Sequence, residues 1–531
     1  MTKLTEMKAT EEQEAVVEAM SSRESVMVNA YAGCAKTTTL ALAGKKVKDP
    51  TLALAFNKRI AKELEPRFGG NFSVMTLNGL GHRAWGRALP QVSRMELDSR
   101  KLGKIISQRA KDEKLTLSAD QWDNARRLVT EVMNRGIVPG DEGNGLLADT
   151  YDNWNDAAEV LWITQDDFDF LYEFSREVLI ESIRQAKTGI ISFDDQIYCS
   201  VTLGGVFPQF PTLFVDEAQD LSPLNHAMLK MASRPDAKFV VCGDEKQAIY
   251  AFRGASSESM QLIRDTRDSW QDRRLTLTFR CPKTIVARQQ KHAPGFSAFH
   301  TNAEGIYTGL RFDPEALERG EAGWEWKDVE RMRPERGTLA VLCRNNAPLL
   351  GLAFKLIRQG VGVVMLGRDI GKGLVTLSKK IFPEDETPAD ICRELVADWK
   401  QTEQSAAAAS GHEERVSAIG DRADCLKAVI DSAGVTNAGQ LRAALTRLFS
   451  QDVGTVTLST IHRAKGLEWD LVLHLDPWRV PSRYARQKAI EGHPAALQQE
   501  YNLLYVCETR SKHTLVTASL RDFWTGPTEG I

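Results

Sequence analysis

The run Val26-Met27-Val28-Asn29-Ala30-Tyr31-Ala32-Gly33-Cys34-Ala35-Lys36-Thr37 decides how the rest of the chain is read. An apolar strand, a loop of small residues and a Lys-Thr pair opening a helix make a cradle for phosphate. Backbone N–H groups and the helix dipole hold the anion, Lys36 reaches the β- and γ-phosphates, and the Thr37 hydroxyl ligates Mg2+. The loop carries Ala35 where a glycine is expected just before the lysine. A Cβ there costs about 1 kcal/mol if the backbone needs positive φ. Taken alone the match is partial, and an ordinary structural loop is the competing reading.

A second stretch narrows the choice. Thr212-Leu213-Phe214-Val215 is an apolar strand that ends in Asp216-Glu217-Ala218-Gln219-Asp220. An acidic residue at a strand tip beside a phosphate loop is where the Mg2+ partner belongs. Asp216 is expected to hold the metal through water, and Glu217 to orient and deprotonate an attacking water. An Asp-Glu pair on a surface loop is commonplace; after a buried strand, in a chain with a phosphate loop, it is not.

Further strands are expected over residues 25–29, 51–56, 72–76, 212–215, 238–242, 338–343, 361–366, 453–459, 471–475 and 514–517. Continuous apolar runs of this kind suit parallel sheets covered by helices on both faces. They fall into two sets, before and after about residue 275, so the fold class is α/β with two cores. Residues 83–189 and 376–449 lack strands and read as helical insertions, the first with Trp122, Trp154 and Trp162 as core. Residues 83–135 contain 12 Lys/Arg against 7 Asp/Glu, whereas 141–173 contain 10 Asp/Glu and no Lys or Arg. Such runs are usually solvated faces; the sharper reading is a basic side that meets phosphate and an acidic side turned away.

Composition sets bounds rather than identity. The 531 residues, 42% hydrophobic and 26% charged, exclude bulk disorder. At roughly 100–200 residues per domain they give about three to five domains. No apolar run is long enough for a membrane span. The start, MTKLTEMKATEEQEAVVEAM, is charged and helical rather than a secretory signal. Eight scattered cysteines without a CxxC pair argue against zinc or iron–sulfur sites and suit reduced thiols in the cytoplasm. With 68 Lys+Arg against 71 Asp+Glu the net charge is −3, which by itself says nothing for a nucleic-acid partner.

Longer motifs in order resemble superfamily 1 helicases of the UvrD/Rep/PcrA type. Gly243-Asp244-Glu245-Lys246-Gln247-Ala248-Ile249-Tyr250-Ala251-Phe252-Arg253-Gly254-Ala255 is similar to the family's third motif. Thr460-Ile461-His462-Arg463-Ala464-Lys465-Gly466-Leu467-Glu468-Trp469 is similar to the fifth, and Glu500 through Arg510 (EYNLLYVCETR) to the sixth. The resemblance covers most of the chain outside the two insertions. The Phe56-Asn57-Lys58 form also resembles the F-box helicase branch and compact phage helicases. The phosphate loop begins near residue 30, so no F-box is expected ahead of it.

The resemblance implies two RecA-like P-loop motor domains, each with a mainly helical insertion. Residues 1–82 and 190–272 would form the first motor domain, 83–189 its insertion, 273–375 and 450–531 the second motor domain, and 376–449 a small second insertion. It implies ATP and Mg2+ as cofactors, with Ala32, Gly33, Cys34, Ala35, Lys36, Thr37 and Thr38 around the phosphates. Gln13 would read the adenine edge with a side-chain amide that donates and accepts at once. Phe279 would stack on adenine where the family usually has Tyr, and Glu468 would hold the ribose. Gln247 would sense the γ-phosphate, and Arg280 and Arg510 would act as arginine fingers from the second core. ATP would draw the cores together, and hydrolysis would release them. For nucleic acid the implied contacts are Phe56, Lys58, Thr76, Asn78, Tyr250, Phe252 and Arg253 on the first core, and Arg344, Asn346 and His462 on the second, combining stacking with phosphate contacts.

Departures from the family pattern are few. Ala35 replaces Gly and Cys34 replaces Ser in the loop. Thr38 stands where an Arg often sandwiches the adenine, so base stacking is expected to be one-sided. Asn78 replaces a common His, Arg463 a small residue, and Gln499 rather than a second Glu precedes Glu500. No metal ligand, base or finger is lost. The expectation is therefore an ATP-dependent DNA helicase moving 3′→5′ on single strands. Its expected partners are single-stranded DNA, single/double-strand junctions, and single-strand-binding, replication or recombination proteins. It is expected to be a monomer with no membrane association, in the cytoplasm, or the host cytoplasm if phage-encoded. The chain ends shortly after Arg510, so no fused nuclease is expected. The alternatives are a translocase that strips bound proteins with little unwinding, and a nucleotide-binding DNA scaffold with impaired hydrolysis.

Overall fold

A computed structural model describes residues 8–55, 58–140, 143–161, 163, 165–249, 259–310, 323–409, 413–492 and 494–523. The chain divides into two compact units, 1–276 and 277–531.

In the first unit six strands form one sheet: β1 (Ser25–Ala30), β2 (Thr51–Ala55), β3 (Phe72–Thr76), β4 (Phe210–Val215), β5 (Ser233–Gly243) and β6 (Trp270–Leu275). Their order is β3-β2-β4-β5-β1-β6 and every pairing is parallel. Every residue of β2 is buried, as a strand covered on both faces requires. Five of these strands follow the apolar runs. β6 does not: its sequence, WQDRRL, carries three charges, yet it pairs with β1 in full register from Ser25↔Trp270 to Ala30↔Leu275. It lies at the sheet edge, where alternate side chains face water and an apolar run is not needed.

The second unit repeats the plan with β7 (Ile306–Leu310), β8 (Leu339–Cys343), β9 (Val363–Met365), β10 (Val456–Thr460), β11 (Trp469–Leu475) and β12 (Ser511–Ala518). The order is β7-β12-β11-β8-β10-β9, again all parallel. β7 is the edge strand that the apolar pattern missed, and it is largely exposed. β10 begins three residues later than its sequence pattern suggests, because Val453 is 89% exposed. Two six-stranded parallel sheets in one chain are the α/β architecture expected of paired RecA-like domains.

Between β3 and β4 the first unit is mainly helical, with helices at Leu77–Ala88, Lys101–Asp112, Ala119–Asn134, Tyr151–Val160, Gln165–Lys187 and Phe193–Thr202; against expectation the stretch 83–189 also holds a two-residue strand, Glu96–Leu97, paired in parallel with Ile190–Ile191. Trp154 is fully buried and its indole N–H donates to Asp149 at 2.8 Å. Trp122 is only half-buried, its N–H on the Ser107 hydroxyl at 3.2 Å, so it edges the core rather than filling it. Trp162 lies outside the described residues.

A fully buried lysine ties this region together. Lys101 Nζ donates to Asp195 Oδ2 and to the Ser182 carbonyl, both at 2.7 Å. Asp195 also accepts from the Ser192 backbone N–H in the capping box that opens helix Phe193–Thr202. Between β9 and β10 the second unit has helices Arg368–Ile381, Ala389–Ala409, Glu413–Ser432 and Ala438–Ser450. Among the described residues no helix is long and apolar enough to cross a membrane.

Candidate nucleotide site

All C-terminal strand ends of a parallel sheet emerge on one edge. β1 therefore delivers the loop 31–35, β4 delivers Asp216-Glu217, and β5 delivers Gly243-Asp244 to the same side of the first sheet. The Tyr31 N–H donates to the Leu275 carbonyl at 3.0 Å, so the unforeseen edge strand β6 anchors the start of the loop.

The loop then turns through two left-handed residues, Gly33 (φ 73°) and Ala35 (φ 55°, ψ 40°). The glycine accepts this without strain; the alanine does not. Ala35 is the N-cap of helix Lys36–Gly44 and offers no side-chain cap. The helix's first N–H groups are thus left to the concave side of the loop, where an anion is favoured.

Lys36 and Thr37 each meet a carboxylate from β4. Lys36 Nζ lies 3.4 Å from Glu217 Oε1, and the Thr37 hydroxyl donates to Asp216 Oδ2 at 3.4 Å. Glu217 is itself left-handed (φ 53°, ψ 41°), and its N–H donates to Asp216 Oδ1 at 2.9 Å. Burial, then the adjacent Glu217 carboxylate, pushes the Asp216 carboxyl up to about 7 against the opposing pull of Lys36. Burial alone would lower the lysine, but Glu217, Asp244 and Asp216 outweigh it and hold Lys36 above its ordinary range.

A buried carboxyl with a hydroxyl beside it is a donor set that suits a hard divalent cation. Mg2+ takes few protein ligands and keeps phosphate oxygens and water for the rest. Among the described residues no cluster of three or more His, Cys, Asp or Glu is placed to hold a metal; Thr37 and Asp216, in contact at 3.4 Å, are the residues that could hold Mg2+.

Two groups that sequence reasoning did not single out connect this cluster. Gln219, almost fully buried, donates to Glu217 Oε2 at 2.6 Å and accepts the Asp244 backbone N–H at 3.0 Å. Asp244 in turn accepts from Gln247 Nε2 at 2.6 Å. Lys36, Glu217, Gln219, Asp244 and Gln247 so form one connected set across three strand ends. Gly243 makes it possible: a Cβ there would stand 2.9 Å from Gln219 Oε1 and 2.6 Å from Met260 Sδ. Asp244 carried the same signal as Asp216, an acid at a strand tip, whereas Gln219 had no signal beyond its place in the acidic motif.

Gln13 is nearby but engaged. Its Oε1 accepts from the Thr10 N–H at 3.1 Å, and its Nε2 donates to Thr39 Oγ1 at 3.1 Å, which donates on to the Ala35 carbonyl. One hydrogen and one lone pair of the amide remain for a base edge. Cys34 is buried with its thiol over the Ala32 carbonyl, and Thr38 is half-buried.

In the second unit Arg280 and Glu468, both expected near nucleotide, form an ion pair with each other. Phe279 is half-buried, tilted against Phe299 with ring centres 5.0 Å apart. Arg510 is buried; its guanidinium donates to the carbonyls of Val506 (2.9 Å) and Leu467 (3.3 Å) and to Thr509 Oγ1 (3.1 Å).

The nucleic-acid candidates are scattered by comparison. Lys58 is exposed at the start of helix Lys58–Leu64. Thr76 caps helix Leu77–Ala88, and Asn78 donates to the Phe193 carbonyl at 2.8 Å. Arg344 makes a two-pronged pair with Glu500 at 2.9 and 3.1 Å, and Asn346 donates to Asp421 at 3.3 Å. His462 is half-buried in the turn after β10. Phe56, Tyr250, Phe252 and Arg253 lie outside the described residues.

Comparison with known proteins adds to this geometry. The UvrD/REP helicase N-terminal domain matches residues 9–268, and the UvrD-like helicase C-terminal domain matches residues 390–521. F-box DNA helicase protein 1 of Schizosaccharomyces pombe is 24% identical over 543 residues, spanning 96% of this chain and 57% of that protein. ATP-dependent DNA helicase UvrD2 of Mycobacterium tuberculosis is 23% identical over 559 residues, spanning 93% of this chain and 76% of the relative. DNA helicase II of Escherichia coli is 22% identical over 294 residues, half of this chain and 38% of its own. The chain thus spans little more than half of the F-box relative. With both helicase domains matched in order and the phosphate loop and its carboxylates in the first of them, the chain belongs to the UvrD/Rep-type helicase family.

Proposed function

We propose that this chain is an ATP-dependent DNA helicase that moves 3′→5′ along single-stranded DNA and opens duplex ahead of it. One observation carries the catalytic half of this reading: Lys36 and Thr37 face Glu217 and Asp216 at 3.4 Å each, a phosphate-binding pair against a base and a metal-holding carboxylate. In hydrolysis Glu217 takes a proton from water as its oxygen bonds to the γ-phosphorus. The bond from that phosphorus to the β–γ bridging oxygen breaks, and ADP and phosphate leave. Mg2+, held by Thr37 and Asp216, would offset phosphate charge. Lys36 positions the β- and γ-phosphates, and Gln247, through Asp244 and Gln219, links the γ-phosphate side to the base. Arg280 and Arg510 are proposed to meet the γ-phosphoryl after exchanging their present partners for it. The domain division proposed is 1–82 with 190–272 and 273–375 with 450–531 as motor domains, and 83–189 and 376–449 as insertions.

The polarity and the unwinding are tested by strand displacement on tailed duplexes. Displacement from a 3′ tail alone supports the proposal. Displacement from a 5′ tail alone refutes the polarity, and translocation without displacement from either tail favours protein stripping. A second reading, a nucleotide-binding DNA scaffold, is favoured by one observation, the left-handed Ala35. It is the better reading if the wild-type chain does not hydrolyse ATP and Ala35→Gly does.

A further inference from the structure

Gln13 is the third residue of helix Glu11–Glu18 and closes its capping box. The Thr10 N–H donates to Gln13 Oε1 at 3.1 Å, and the Gln13 N–H donates back to the Thr10 hydroxyl at 3.3 Å. Glutamate closes such a box equally well, so capping alone gives no use to the amide nitrogen. The helix is itself tied to the end of edge strand β6. Arg273 donates to the Ala15 carbonyl at 3.1 Å, and Glu12 accepts from the Thr276 N–H at 2.8 Å and hydroxyl at 2.6 Å. Gln13 is thus anchored, almost fully buried, on the sheet that carries the phosphate loop.

The nitrogen's partner is Thr39, fully buried in helix Lys36–Gly44. Thr39 Oγ1 accepts from Gln13 Nε2 at 3.1 Å and donates to the Ala35 carbonyl at 3.1 Å. That carbonyl also accepts the Thr39 N–H at 2.9 Å. A hydroxyl has one hydrogen. With that hydrogen on Ala35, Thr39 offers Gln13 only lone pairs, which the amide nitrogen can use and the amide oxygen cannot. Thr10 imposes the complement, since its N–H needs the oxygen. Two contacts of opposite sense therefore fix which end of the amide points where. One hydrogen on Nε2 and one lone pair on Oε1 are left over.

Adenine presents a donor, its N6 amino group, beside the acceptor N7; guanine presents two acceptors, O6 and N7. An amide held in this way matches the first edge and sets its oxygen against O6 of the second. We propose that Thr39 is a positioning residue for base selectivity: it holds the Gln13 amide in the orientation that prefers adenine to guanine, and it ties that preference to the backbone of Ala35. The proposal rests on the reading of this region as an ATP site. Thr39 needs no contact with nucleotide to act. It reaches from a helix 26 residues away in the chain, and its N–H and hydroxyl both end on the carbonyl of the left-handed Ala35. One side chain so joins the base side of the site to the phosphate side.

The test is calorimetric titration of the full chain, with Mg2+, by the imido analogues of ATP and GTP and by inorganic tripolyphosphate. Thr39→Val removes the hydroxyl with little change of shape, Thr39→Ser keeps it, and thermal melting checks that each variant is folded. Thr39→Ala serves in place of the valine variant if that one does not fold. Wild type should prefer the adenine analogue by on the order of 10- to 100-fold in Kd. Thr39→Val should bring that preference below about fivefold, with tripolyphosphate affinity unchanged, and Thr39→Ser should restore it. In a Gln13→Ala background, Thr39→Val should alter the preference no further. An unchanged preference in Thr39→Val would overturn the proposal. Equal weakening of all three ligands would also overturn it and make Thr39 a support of the loop alone. Wild type that binds both nucleotides equally would overturn the selectivity and leave the nucleotide site standing; wild type that binds none of the three would overturn the site itself.

Discussion

Ala35 occupies the one loop position where its side chain works against its backbone, at φ 55° and ψ 40°. A non-glycine residue in this region costs about 1–2 kcal/mol, and a glycine there would cost about 0.4–1 kcal/mol through its freer unfolded chain. The strain outweighs the lost chain stiffness. Ala35→Gly is therefore expected to stabilise the chain by about 0.5–1 kcal/mol, read from the denaturant midpoint, and to tighten ATP binding. Gln219 makes the opposite case, a residue whose removal should be felt in chemistry. Gln219→Ala frees Glu217 Oε2 and orphans the Asp244 N–H. Misplacing a reacting group in this way is expected to lower kcat on the order of 100-fold with KM for ATP changed little. Gln219→Glu should instead raise the Glu217 pKa through a second carboxylate and move the acid limb of the activity profile to higher pH.

Elements were legible where burial is two-sided. β1, β2 and β4 read as strands because neighbouring helices leave no face for polar residues, and the site residues at their tips were legible with them. β6 and β7 were not, since an edge strand such as WQDRRL shows water half its side chains. Lys36, Thr37, Asp216 and Glu217 announce themselves by chain position. The part that Gln219 plays exists only because Gly243 lets β5 approach it from 24 residues further along the chain. The helical region depends on a contact of the same hidden kind. Lys101 and Asp195 are 94 residues apart and fully buried together. Lys101→Ala is expected to cost about 3–5 kcal/mol by leaving a buried carboxylate uncompensated. Lys101→Met with Asp195→Leu should recover most of that loss, as chemical denaturation would reveal.

At the scale of the whole molecule, acid should act through histidines that the fold keeps neutral. Burial, with help from Arg288, pushes His474 on β11 down to about 4 from an ordinary 6.5. Between those values the unfolded chain binds a proton that the native chain refuses, so stability falls as pH drops from 6.5 towards 4. The contribution approaches roughly 3 kcal/mol at the acid end. Asp216 works in the other direction: its native pKa is raised, so its contribution is present at low pH and lost as pH rises towards 7. The difference between wild type and His474→Leu isolates the histidine. Urea midpoints of the two should converge near neutrality and part below pH 6, with wild type losing more.

The most direct measurement is ATP turnover with and without single-stranded DNA for wild type, Lys36→Ala and Glu217→Gln. Turnover that rises with DNA in wild type and vanishes in both folded variants is the predicted result. Turnover retained in either variant would contradict the site at the tips of β1 and β4, and wild-type turnover indifferent to DNA would contradict the motor.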